Sequence, residues 1–221
     1  MIQIIDKPLK ELKIGIIGFR RSFIKTALNK FNLSYTYINN KNIEENEYDI
    51  IFGSGVYNIL SEEFIKKPKY GCFFIHESPL PEGRGHAPIQ WALENKRKNL
   101  TLSLFKVLPG IDDGNIVYQH NKEINKFDTV ESIEQKRLEG ITECFELFLE
   151  ELSKGVIVLR KQTGKSSYNP KRNPSNSEIK SIPNVDLFWD ELRMCDNEKY
   201  PAFFKIGNKK ITLKYSIDDY K

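Results

Sequence analysis

Two side chains are suited to moving a proton, and both lie in stretches that could hold a ligand. His76 closes the run Gly71-Cys-Phe-Phe-Ile-His76, and Asp112 sits in Gly110-Ile-Asp112-Asp-Gly114. A histidine titrates near neutrality, so it can serve as general base and then general acid; an aspartate beside it can orient the ring or take a proton through water. Taken alone, His76 reads first as a hydrogen-bonded core histidine. Asp-Asp-Gly likewise makes a good turn by itself, a role that suits Asp113 better than Asp112. The residues after His76 shift the weight toward chemistry. Pro79 and Pro81 stiffen the loop, Gly83 and Gly85 loosen it, and Pro88 suits the first turn of a helix through Trp91 and Leu93.

The elements that must position these residues alternate between strand and helix. Cys72 to Ile75 reads as a buried strand, which puts His76 at its carboxyl end, where ligands bind in open α/β sheets. Leu12 to Phe19, Tyr35 to Ile38 and Tyr48 to Gly53 read as earlier strands. A helix capped by Ser22, with Phe23, Ala27, Leu28 and Phe31 on one face, follows the first of them. Strands at Leu100 to Val107 and Ile116 to Glu123 follow the Pro88 helix. Asp128-Thr-Val-Glu131 then signals a long helix, with Ile133, Ile141, Phe145, Phe148 and Leu152 inward, that stops at Gly155. Asn39 to Glu47 reads as a polar loop. The expected fold is α/β, a Rossmann-like and mostly parallel sheet flanked by helices, with a short C-terminal β-hairpin. The expected division is a core over 1–160, an extended surface arm over 161–184 rich in turn formers, and a helix from Val185 to Met194 plus hairpin over 185–221.

Composition narrows the classes. At 221 residues, with 39% hydrophobic and 29% charged side chains, the chain can bury a sizeable core. A net charge of +4 is too mild to demand nucleic acid, though it suits an anionic small ligand. The start, Met-Ile-Gln-Ile-Ile-Asp-Lys-Pro, lacks a charged region followed by an apolar core, and no run approaches a membrane span, so a cytoplasmic chain without membrane contact is expected. Cys72, Cys144 and Cys195 are scattered and form no metal-binding pattern, so neither a disulfide framework nor a metal is expected. Gly15-Ile-Ile-Gly18-Phe-Arg20-Arg21 lacks the third glycine and the later acid of a dinucleotide loop; its two arginines, at a helix start, could meet phosphate but read first as solvated.

The order strand, His-x-Ser-x-Leu-Pro-x-x-Arg-Gly, Ala-Pro-Ile-Gln-Trp-Ala-Leu resembles the formyltransferases that use 10-formyltetrahydrofolate. The likeness extends through Leu100 to Phe105 and Gly110-Ile-Asp112-Asp-Gly114. Upstream it takes in Phe52-Gly-Ser-Gly55-Val-Tyr57-Asn-Ile-Leu60, and in all it covers roughly 48–123. Arg193 through Phe204 is similar to the entry to that family's C-terminal β module; the short remainder leaves no room for the barrel of its tRNA branch, and the family's sugar branch is the closer pattern.

The resemblance implies transfer of a formyl group from 10-formyltetrahydrofolate to the primary amine of a nucleotide-linked amino sugar, with His76 and Asp112 catalytic. It assigns the folate to Tyr57, Ile59, Leu60, Leu80, Arg84, Gly110, Ile111 and Asp112. It assigns the acceptor to His76, Ser78, Pro81, Arg84 and Gly85. The sequence offers the terminal hairpin as a candidate contact for a homodimer. One departure stands out. The family places Asn two residues before its histidine, and this chain has Phe74 there. Losing one oxyanion donor typically costs about 3 to 4 kcal/mol of transition-state stabilisation. A replacement donor could come from protonated His76, a backbone N–H, Asn58 or His86. Two alternatives therefore stay open: a hydrolytic deformylase, and a folate or nucleotide binder without turnover.

Overall fold

Short runs of isoleucine, phenylalanine and tyrosine become the strands of one central sheet, because β-branched and aromatic side chains fit a pleated, packed surface. The computed structural model describes residues 1–39, 47–57 and 60–219. Along them run β1 (Ile2–Ile4), β2 (Ile14–Ile17), α1 (Arg21–Lys30), β3 (Tyr35–Tyr37), β4 (Ile50–Ser54), α2 (Glu62–Lys66) and β5 (Gly71–His76). Next come β6 (Arg84–Gly85), α3 (Pro88–Glu94), β7 (Asn99–Val107), β8 (Gly114–Glu123), α4 (Val130–Ser153) and β9 (Val156–Val158). The described chain ends with β10 (Tyr168–Asn169), α5 (Val185–Leu192), β11 (Phe203–Ile206) and β12 (Lys209–Thr212).

Six strands form the main sheet in the order β3-β2-β4-β5-β7-β8. The first four are parallel; β7 runs against β5 and β8 against β7, so β7 alone is reversed. The expected α/β architecture with a C-terminal hairpin is present, and β5 and α3 begin where the sequence placed them. Ser22 is a correction: it lies inside α1, whose N-cap is Arg20, and makes no side-chain cap. The long helix is capped by Thr129 and Ser132 reciprocally, with Asp128 accepting from the Ser132 hydroxyl at 2.8 Å. Most of the expected loop from Asn39 to Glu47 lies outside the described residues. Two small pairings had no sequence signal: β1 with β9, and β6 with β10.

Alternation along β5 sends successive side chains to opposite faces. Phe73 meets Phe148 with ring centroids 4.8 Å apart, and Phe52 of β4 packs on Phe145 and Phe148 at 5.3 and 5.7 Å, which fastens α4 to one face. Cys72 and Phe74 face the other way, with Ile51, Phe105 and the α2 residues Phe64 and Ile65. All three cysteines are free and buried, and burial pushes the Cys72 and Cys144 thiols up to about 12, which leaves them inert at neutral pH. Among the described residues no helix is long and apolar enough to cross a membrane.

Phe74 depends on the residue paired with it. Gly53 of β4 is its register partner, and a Cβ on Gly53 would sit 2.4 Å from the Phe74 ring. The ring thus occupies the space that a side chain at 53 would take. Gly53→Ala is expected to lower stability by about 1 to 3 kcal/mol by overpacking, and by much less in a Phe74→Ala background, as urea denaturation of the four variants would show. Additive effects would mean that the two positions do not share this space.

Candidate active site

His76 and Asp112 come together although 36 positions separate them in sequence. The ring of His76, 8% exposed, places Nδ1 3.5 Å from Asp112 Oδ2, and its Nε2 lies 2.9 Å from the Gly83 carbonyl oxygen. A carbonyl can only accept, so Nε2 carries the hydrogen and the neutral ring presents a bare Nδ1 to the carboxylate and the cavity. A proton taken up at Nδ1 is then shared with Asp112. The same Asp112 Oδ2 accepts from the Gly85 backbone N–H at 2.7 Å, which ties the two loops. Asp112 adopts a left-handed backbone, φ +46°, and its carbonyl accepts from Gln162 at 3.0 Å. Gly114 ends this loop at φ +149°, where a Cβ would lie 1.9 Å from the Lys106 carbonyl oxygen, so only glycine lets β8 start there.

The turn after His76 is held by the arm that the sequence placed over the surface. The backbone N–H groups of Arg84 and His86 donate to Ser167 and Asn169, both at 3.0 Å, and the Ser167 hydroxyl accepts from the Gly83 N–H at 2.9 Å. Trp91 of α3 donates its indole N–H to Pro170 at 3.1 Å. Arg84 belongs to this brace. Its guanidinium donates to Asp113 at 3.1 Å, Gln162 at 2.5 Å and Tyr168 at 3.2 Å.

A cavity of about 910 Å³ opens in front of His76. Its wall combines an apolar set, Leu60, Ile65, Phe74, Phe105, Val107 and Ile111, with Gly110 and Asp112 and with an ionic set, Arg20, Glu77, Glu134, Arg137 and Lys171. Of the sequence candidates, His76, Tyr57, Leu60, Gly85, Gly110, Ile111 and Asp112 line it, and His86 does too. Leu80 is instead a buried core residue, Ser78 and Pro81 are buried within the turn, and Arg84 is spent on the brace; none of these four lines the cavity. Ile59 and Asn58 lie outside the described residues. The described residues contain no group of three or more side chains able to hold a metal ion.

Three charged residues of the cavity wall, Glu77, Glu134 and Arg137, escaped the sequence reading, and Arg20 was read as solvated. Arg20 is not solvated: its side chain is 14% exposed, with Nε 3.6 Å from Glu134 and Nη1 3.4 Å from the Tyr57 hydroxyl. Glu134 also contacts Arg137 closely, and Arg137 Nε stands 4.0 Å from Glu77 Oε1. Burial pulls the Arg137 guanidinium down to about 10, so it remains charged at neutral pH. A signal existed for Arg137, since 133, 137 and 141 share the inward stripe of α4 and a cation there is out of pattern. Glu77 gave none, since the histidine motif leaves its position unspecified.

The formyl transferase family matches residues 25–145. A methionyl-tRNA formyltransferase of Thermotoga neapolitana is 36% identical over 162 residues, 73% of this chain and 52% of that protein. The chain thus spans about half the length of the curated relatives it matches. A 4-N formyltransferase from Francisella tularensis superposes with a TM-score of 0.81 at 18% identity, covering 96% of this chain and 100% of that one. HypX from Aquifex aeolicus, solved with tetrahydrofolic acid, has a TM-score of 0.75 at 18% identity, covering 91% of this chain and 37% of that one.

If Arg84 braces the turn, Arg84→Met should cost about 1.5 to 3 kcal/mol, the range for hydrogen bonds to charged groups. It should also speed hydrogen exchange at the Arg84 and His86 amides. Unchanged exchange with weakened ligand binding would return Arg84 to the ligand site.

Proposed function

The chain belongs to the formyl transferase family, and from that premise we propose that it moves a formyl group from 10-formyltetrahydrofolate to the primary amine of a nucleotide-linked amino sugar. The observation that carries this reading is the His76–Asp112 pair, Nδ1 to Oδ2 3.5 Å, in the wall of a cavity that joins apolar and ionic side chains. The apolar set fits a flat heteroaromatic ring, with Leu60, Ile65, Val107 and Ile111 available to its faces and the Gly110 to Asp112 backbone to its polar edge. When bound there, 10-formyltetrahydrofolate supplies an activated formyl group.

The remaining steps fall to side chains. His76 Nδ1 takes a proton from the amine, Asp112 stabilises the imidazolium, and the imidazolium returns that proton to the leaving nitrogen. Phe74 offers no donor to the negative charge that develops on the formyl oxygen, so the imidazolium is the replacement donor in this reading. The cavity is also lined by Lys171 and Lys199, which have no ion pair among the described residues, and by the exposed rings of Phe19 and Tyr200. The acids beside them are engaged: Asp196 accepts from the Glu198 and Lys199 backbone at 2.9 and 2.8 Å, and Glu131 from the Asn197 N–H at 3.2 Å. Cations and aromatic faces suit a diphosphate and a base.

His76→Asn is expected to lower formylation of a nucleotide amino sugar by about 10²- to 10⁴-fold, the usual contribution of a general base, with folate affinity retained. The assay should be run with and without acceptor. Formate released at the same rate in both would replace the transferase reading with a deformylase. Folate bound without turnover in the wild type would leave a binder.

A further inference from the structure

Glu77 is a carboxylate without a donor. Its side chain is 8% exposed and lines the cavity, yet the nearest charged group, Arg137 Nε, stands 4.0 Å away, beyond hydrogen-bonding distance. The Arg137 Nη2 is already taken by Glu134. No other described residue donates to Glu77. Glu77 also borders a crevice of about 40 Å³ beneath the turn, which has room for a water and not for a ligand. Buried carboxylates are otherwise satisfied by several donors, so the missing ones are expected from whatever enters the cavity. An ammonium brings three N–H donors and the opposite charge.

We propose that Glu77 receives the acceptor amine as an ammonium and presents it to Nδ1 of His76, which makes it the residue that selects an amine over a hydroxyl. This inference rests on the formyl-transfer reading. One ammonium proton passes to His76 Nδ1, and the freed lone pair forms the new C–N bond as the bond from the formyl carbon to the donor nitrogen breaks. The His76 proton goes to that departing nitrogen. The second amine proton leaves through the Glu77 carboxylate to water, so the balance is one formamide, one deformylated donor and one released proton.

The test compares folate-loaded wild type, Glu77→Gln and His76→Asn for binding of nucleoside-diphosphate amino sugars and of the same sugars with hydroxyl in place of amine. Wild type and His76→Asn should both prefer the amine by about tenfold or more. Glu77→Gln should lose the preference while its folate affinity stays unchanged. The double variant Glu77→Gln/Arg137→Met, which removes one charge of each sign, serves as a second, charge-balanced form and should also lose it. A preference retained in either folded Glu77 variant, or absent from wild type that still formylates the amine, overturns the inference and leaves Glu77 a water-bound structural partner of Arg137. If wild type binds neither sugar of any pair, the amino-sugar reading fails and takes the inference with it.

Discussion

The hydrogen bond from His76 Nε2–H to the Gly83 carbonyl, 2.9 Å long, decides what the site can do. It fixes which ring nitrogen is protonated, and so which one faces Asp112 and the cavity. Gly83 can hold that carbonyl in place because its own N–H is bound by Ser167 of the arm, and because Arg84 next to it is gripped by Asp113, Gln162 and Tyr168. Residues 162 to 170, far from the histidine in sequence, are therefore part of its orientation. Asp112 is tied into the same assembly through the Gly85 N–H. The tautomer is a property of three chain segments packed together.

The cavity wall beyond His76 sets a second constraint. Arg20, Glu134, Arg137 and Glu77 form a chain of alternating charge along the side of α4 that faces the cavity, where desolvation is costly and each partner is needed by the next. Arg137 and Glu77 are both 8% exposed, and removing one partner of so buried a pair typically costs about 3 to 5 kcal/mol, far more than a surface pair. An apolar wall of equal volume would serve the fold as well or better. Charge in this place is therefore better explained by what enters the cavity than by what holds the protein together.

Much of this was legible in the sequence. The apolar block 72–75 ending in a histidine, Pro88 at a helix start and the inward stripe of α4 are local patterns, and local patterns survive into the structure. What was not legible is non-local. Arg84 reads as a ligand contact because an arginine in a glycine-rich loop has no visible partner, and its partners lie up to 84 positions away. Ser78, Pro81 and Leu80 sit in the motif but turn inward, a matter of side-chain direction in an irregular turn. Arg20 looked solvated because its acid, Glu134, comes from a helix more than a hundred residues on. Phe74 was legible as a departure, while Gly53, the residue that makes room for it, became visible only through strand register.

The arrangement is tested most directly by nitrogen NMR of the His76 ring in protein labelled at the imidazole nitrogens. If the Gly83 carbonyl orients the ring, the neutral form carries its proton on Nε2 and Nδ1 resonates as an unprotonated ring nitrogen, with a coupling to Asp112 appearing only on protonation. A neutral ring protonated at Nδ1, with Nε2 bare, would contradict it, because the nitrogen that faces the cavity would then have no lone pair with which to take a proton.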